Sequence, residues 1–264
     1  MPSPERSEVA TCALCGTALA GPYCQNCGQA SAAAPRSFRE VFLGQTGRLA
    51  HTFRLLFMRP GELAREIEEG RDRGSMRPLT LLLNLIAFFF LVGAPGNFTV
   101  GSLAAQDSSG RVQAEIDRRV ARTGIPRELV VERLDRRFQS AYSLVIPWSA
   151  VVYACVLWLL HLRSHRRRWL THLAAAIHFL AFIFITAAIL LLIGRLVHFN
   201  ALREPVAVAA LLLLNFGYLA AMLRRAYDDS WLAAAGKSVI VMAVGTLSDN
   251  LLLLVALAVT MASV

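Results

Sequence analysis

Four cysteines near the N-terminus carry the most specific chemistry in the chain. Cys12 and Cys15 form one C-x2-C pair and Cys24 and Cys27 a second, with eight residues between the pairs and Gly16 and Gly28 directly after them. Two thiolates three positions apart on a tight turn can bind one ion, and a small residue after the second lets the backbone fold back toward the sulfurs. Two such turns predict a closed tetrahedral S4 site, the arrangement that zinc favours. With all four positions cysteine, no coordination place stays open, so the expected role is structural and the metal is not expected to activate water. Iron is the lesser alternative. A pair of disulfides would need an oxidising compartment. No signal-peptide core precedes the cluster, which agrees with a reduced, cytosolic site. So short a piece cannot fold on an apolar core, and the metal is expected to supply its folding energy. Residues 12–35 contain no Arg, Lys, Asp or Glu, so the ribbon is not expected to bind nucleic acid, which needs positive charge at the contact. A protein-docking role fits better, with Tyr23 and Gln25 as its larger side chains. Cys155 stands alone among apolar residues and reads as packing rather than as a reactive thiol.

A second set of polar residues lies inside apolar stretches: Asn84, His178, Asn215, Asp249 and Asn250. Ionisable groups at bilayer depth are costly and often functional. At a helical rise of ~1.5 Å per residue, Asn84 falls about 9 Å from the inner face, His178 and Asn215 about 12 Å, and Asp249 about 17 Å. Four helices would then aim polar groups at one layer. Interhelical hydrogen bonds that fix packing are one reading; a polar cavity or proton path through Asp249, with His178 beside it, is the other. A break of the last helix at GTLSDN is the third alternative. His161, His165 and His172 lie near the inner interface with no carboxylate in their own stretch, and read as interfacial histidines. No GxSxG, P-loop, HExxH or glycine-rich dinucleotide turn is present. That weakens soluble-type enzyme readings without touching an intramembrane enzyme.

The elements that position these residues follow from composition and periodicity. The chain has 264 residues, 56% of them hydrophobic and 17% charged, with a net charge of +9. That is too apolar for disorder and too poorly charged for an ordinary soluble domain. Five apolar stretches, roughly 78–94, 141–162, 170–194, 205–223 and 238–262, match bilayer-crossing lengths, the first being the shortest. The expected fold class is an all-α integral membrane helical bundle of about five transmembrane helices with a small N-terminal zinc ribbon. Residues 1–35 form the ribbon and tail, 36–77 amphipathic interfacial helices, and 78–264 the transmembrane domain with an extracytoplasmic helical loop at 95–140. Phe38, Val41, Phe42, Leu49, Phe53, Leu56 and Phe57 fall on one face of a helix, which is expected to lie in the headgroup region. Pro60 and Gly61 break it, and a short helix at 61–69 follows. In the 95–140 loop, Val112, Ile116 and Val120 mark one amphipathic helix, and Leu129, Val130, Leu134 and Phe138 a second that runs into the second span. Packing on the outer face is its expected role, rather than that of a lid. With the N-terminus inside, twelve Arg and Lys residues flank the inner ends and six the outer ends. The positive-inside rule then favours a cytoplasmic N-terminus and a periplasmic C-terminus.

CALCGTALAGPYCQNCGQ followed by FRLLFMRPGELAREIEEGRDRGSMRPLTLLLNLIAFFFL resembles an uncharacterised group of bacterial membrane proteins, a domain of unknown function. The matching positions are Cys12, Cys15, Cys24, Cys27, Gly28 and Gln29, then Thr52, Leu56, Arg59, Pro60, Gly61, Gly70, Arg71 and Pro78, within residues 12–92. Ile67 stands where that group has an aromatic residue. The resemblance implies an architecture and supplies no activity. The Pro-Gly-Glu helix ahead of five spans also looks like the Yip-type membrane proteins, which are non-enzymatic and linked to trafficking or lipid organisation.

The functional expectation is a non-enzymatic bacterial inner-membrane scaffold. Its partners would be the lipid bilayer, with Arg-rich flanks on anionic headgroups, and a cytosolic protein recruited through the zinc ribbon. The alternative is a small proton-coupled transporter using the polar layer around Asp249. An enzyme acting on a lipid ranks last.

Overall fold

The computed structural model describes residues 11–12, 15–20, 24–26, 44–69, 74–93, 99–162, 169–196 and 205–262. The chain divides into two compact units, Met1–Leu49 and Ala50–Val264. Helix α1 (Gly44–Met58) crosses that boundary; α2 (Glu62–Glu68), α3 (Pro78–Gly93), α4 (Val100–Gln106), α5 (Arg111–Thr123), α6 (Arg127–Leu160), α7 (Trp169–Leu196), α8 (Pro205–Tyr227) and α9 (Trp231–Ala262) follow. Among the described residues there is no strand, only an isolated antiparallel bridge between Thr11 and Ala18, so the paired strands of a ribbon are not seen there.

The second unit is an all-α bundle. Helices α6, α7, α8 and α9 are each long and apolar enough to cross a membrane. Their outward faces carry Leu144, Trp148, Leu213 and Leu247, each more than half exposed. Apolar surface of that extent is stable against lipid rather than water, so the chain is a multi-pass membrane protein. The expected first span is shorter than the others. Helix α3 has 16 residues, about 24 Å at the helical rise, against a hydrocarbon core of about 30 Å. Among the described residues there are thus four helices of spanning length and a fifth apolar helix just below it. The last span does not break at GTLSDN: α9 runs unbroken through it and begins seven residues earlier than its apolar run, at Trp231.

Helix α7 is the hub, packing against α2, α3, α6 and α8, while α6 also packs along α9 and α9 along α8. Its small residues permit this: Ala174, Ala175, Ala176 and Ala181 are buried and let neighbours approach. The core continues into the amphipathic segment. Thr52, Leu55, Leu56, Leu63 and Ala64 are buried, and α2 packs on α7 and α8. Part of this segment's apolar face, at Leu55, Leu56, Leu63 and Ala64, is therefore covered by the bundle, while Phe57 and Met58 stay exposed. Phe38, Val41 and Phe42 lie outside the described residues. Gly61 secures the arrangement. Its φ of +88° suits glycine, and an added Cβ would sit 2.6 Å from the Met222 carbonyl oxygen of α8.

The loop between α3 and α6 folds as a helical cap. Val100, Ala104, Ile116, Val130, Leu134, Phe138 and Ala256 form a second core there. The expected stripes of α5 and α6 appear in it, except that Leu129 is exposed. Helix α6 is continuous from cap to bundle. Helix α4, unmarked by any periodicity, opens with a Thr99 capping box, and its Val100 N–H donates to Asp135 Oδ1 at 2.6 Å.

Candidate functional site

In the first unit, Cys12 and Cys24 are buried and Cys15 is exposed. Their three Sγ atoms lie within 4.8 Å of one another, and those of Cys15 and Cys24 are 3.5 Å apart. The local backbone explains why. Gly16 N–H donates to the Cys12 carbonyl at 2.9 Å and Cys12 N–H to the Thr17 carbonyl at 2.9 Å. This turn returns the chain beneath the sulfurs, and it needs the left-handed φ of +71° at Gly16. Tetrahedral thiolates at ~2.3 Å from an ion stand just under ~4 Å apart, so the three donors fit one metal ion. Cys27 and Gly28 lie outside the described residues.

In the second unit the polar residues divide by which way their helix faces. Tyr153 of α6 donates its phenol proton to Asp249 Oδ2 of α9 at 3.1 Å. That approach depends on Gly245, one turn before Asp249: an added Cβ there would lie 2.2 Å from the Tyr153 oxygen. Asp249 also lines a cavity of about 190 Å³ with Tyr142, Ser149, Phe89 and Phe184, between α3, α6, α7 and α9. His178 is buried in α7 with neither ring nitrogen hydrogen-bonded. Asn215 is buried in α8; its amide donates to the Leu211 carbonyl at 2.8 Å, while its Oδ1 has no partner. Asn84 and Asn250 are exposed on the bundle's outer surface, and Asn250 bonds back to the Thr246 carbonyl of its own helix at 2.7 Å. The single layer of aligned polar groups suggested by depth thus reduces to buried His178 and Asn215 and half-buried Asp249, because depth fixes height in the membrane and says nothing of rotation about the helix axis.

A further constellation is assembled only by the tertiary structure. His161, at the end of α6, donates from Nδ1 to the Leu157 carbonyl at 2.8 Å. Its Nε2 faces Asp229 Oδ2 at 3.1 Å and Lys237 Nζ at 2.8 Å, and Lys237 donates to Asp229 Oδ1 at 2.6 Å. Tyr227 stacks on the His161 ring with centroids 4.0 Å apart, and its hydroxyl lies 3.0 Å from His172 Nδ1. These residues come from α6, α7, α8, α9 and the α8–α9 turn, so the cluster ties four helices at one end of the bundle. Asp229 supplies the carboxylate that the His161–His172 stretch lacks. One signal was present in the composition: Lys237 is the only lysine among 27 basic residues. His165 lies outside the described residues. Cys155 is half-buried in α6.

No protein family, no curated protein and no solved structure matches the chain.

Proposed function

We propose that the protein is a non-enzymatic scaffold of a bacterial inner membrane, whose N-terminal cysteine unit holds zinc and recruits a cytosolic protein. The observation that carries this reading is the convergence of Cys12, Cys15 and Cys24 Sγ atoms within 4.8 Å; the second C-x2-C pair of the sequence offers Cys27 as a fourth thiolate. Zinc there supplies folding energy. The ribbon and tail occupy residues 1–35, the interfacial helices 36–77 and the transmembrane domain 78–264. The absence of charge in residues 12–35 favours a protein partner over nucleic acid. The N-terminus is cytoplasmic and the C-terminus periplasmic on the balance of flanking arginines. The test is an affinity capture from gently solubilised membranes with a Cys12→Ser/Cys15→Ser variant. The variant should lose one equivalent of zinc and its captured partner, while its helices remain membrane-inserted. Full partner capture by the zinc-free variant would refute recruitment.

A second reading, a small proton-coupled transporter, draws on the Tyr153–Asp249 hydrogen bond beside the 190 Å³ cavity. Asp249→Asn separates the two. A scaffold should keep partner capture unchanged, whereas a transporter should lose proton-driven uptake in vesicles.

A further inference from the structure

We propose that the helical cap binds a phosphate group, carried on a lipid or a small ester, in the cavity between the end of α5 and the start of α6. The cavity measures about 340 Å³, within the ~300–1,000 Å³ range of small-molecule sites. Arg119, Arg133, Arg136 and Arg137 line it, and among the described residues no carboxylate does. Val130 and Leu134 contribute to an apolar wall. A cavity with guanidinium groups on one side and aliphatic carbon on the other suits an anion attached to a carbon skeleton.

Arg119 is what makes this a built site rather than a basic surface. It is only 5% exposed. Its Nε donates to Glu115 at 2.9 Å and its Nη2 to the Met261 carbonyl at the end of α9. Both contacts fix the guanidinium, yet its Nη1 is buried with no partner. A buried cationic donor left unsatisfied is costly, and an anion that draws the guanidinium toward the cavity would relieve that cost. Arg133 and Arg136 are exposed, and Arg136 meets Glu132 at 3.4 Å from outside the cavity. More than one guanidinium lines the cavity, and a phosphate accepts several forked contacts at once where a carboxylate accepts a single pair. The apolar part of α6 begins at about residue 141, one turn beyond Arg137, which sets the cavity at headgroup level. Arg133, Arg136 and Arg137 are also among the charges that weaken the flank asymmetry, a cost that a binding role explains.

The test is a titration of the full-length protein in uncharged detergent by native mass spectrometry. The probes are dioleoyl phosphatidic acid, phosphatidylcholine with the same chains, and inorganic phosphate. The wild type should hold phosphatidic acid about tenfold more tightly than phosphatidylcholine, and Arg133→Gln/Arg136→Gln should erase that preference with helical content unchanged. Arg119→Gln should weaken binding as well, but it also cuts a tie to α9, so the double variant at the exposed positions is the deciding one. Displacement of the lipid by inorganic phosphate at comparable concentration would identify a free phosphate ester as the ligand; failure to displace would identify a lipid. Equal retention of both lipids together with no phosphate binding, or undiminished binding by the double variant, would overturn the proposal.

Discussion

Tyr153 and Gly245 meet where α6 crosses α9, and the absence of one methyl group at Gly245 allows the phenol to reach Asp249. Gly245→Ala should therefore cost about 1–3 kcal/mol by overpacking, with the Tyr153–Asp249 hydrogen bond lost as the ring moves away. Gly217 offers an internal control. Nothing lies within 4 Å of a Cβ added there, so Gly217→Ala should change stability by no more than about 1 kcal/mol, toward greater stability. Thermal unfolding of both variants in detergent measures the contrast. At this scale the sequence reveals polar groups by their contrast with apolar neighbours, which is why Asp249 and His178 stand out. It conceals Tyr153, since an aromatic residue in an apolar stretch looks like packing. It conceals Asp229 for a different reason: the carboxylate sits in a polar turn far along the chain from His161, and only tertiary structure brings the two together.

The individual helices show how far periodicity reaches. The stripes of α5 and α6 placed the cap's core at Ile116, Val130, Leu134 and Phe138, because an amphipathic helix on a bundle has one side to bury. Helix α4 leaves no mark in the periodicity because seven residues give too little of a repeat to register. The start of α5 is held by a side chain that periodicity also overlooks. Asp107 accepts from the Ser109 hydroxyl at 2.5 Å, the Ser109 N–H at 2.9 Å and the Val112 N–H at 2.9 Å. The Ser109 hydroxyl, followed by the Val112 N–H, holds its carboxyl below the usual carboxylate range. A lowered pKa in the folded state means that the ionised form stabilises the fold. The contribution is complete above the unfolded value of about 3.9 and disappears as pH falls through the folded value. Acidification below about pH 3.9 and through the lower folded value should thus unprotect the Val112 amide before the rest of α5. Hydrogen exchange checks this, and in Asp107→Asn the acid-dependent step should be gone.

Across the whole molecule, hydropathy alone makes the membrane bundle legible, since spans need only length and apolarity. Which helix becomes the hub is not legible that way: α7 owes its central place to small residues that matter only once neighbours are beside them. The crossing count depends on α3. With five crossings, reporters fused near residue 35 and after residue 262 should lie on opposite sides of the membrane, and this is the expected result. The same side for both would mean that α3 does not cross. A rod of 16 residues that does cross leaves a deficit of about 6 Å against an average bilayer. Lipid tails beside α3 must then splay or shorten, at a fraction of a kcal/mol for each ångström of mismatch. The surrounding bilayer would be dimpled on that flank and relaxed on the side of the longer helices, so the protein would be drawn toward thin membrane and would carry a thinned patch with it wherever it diffuses.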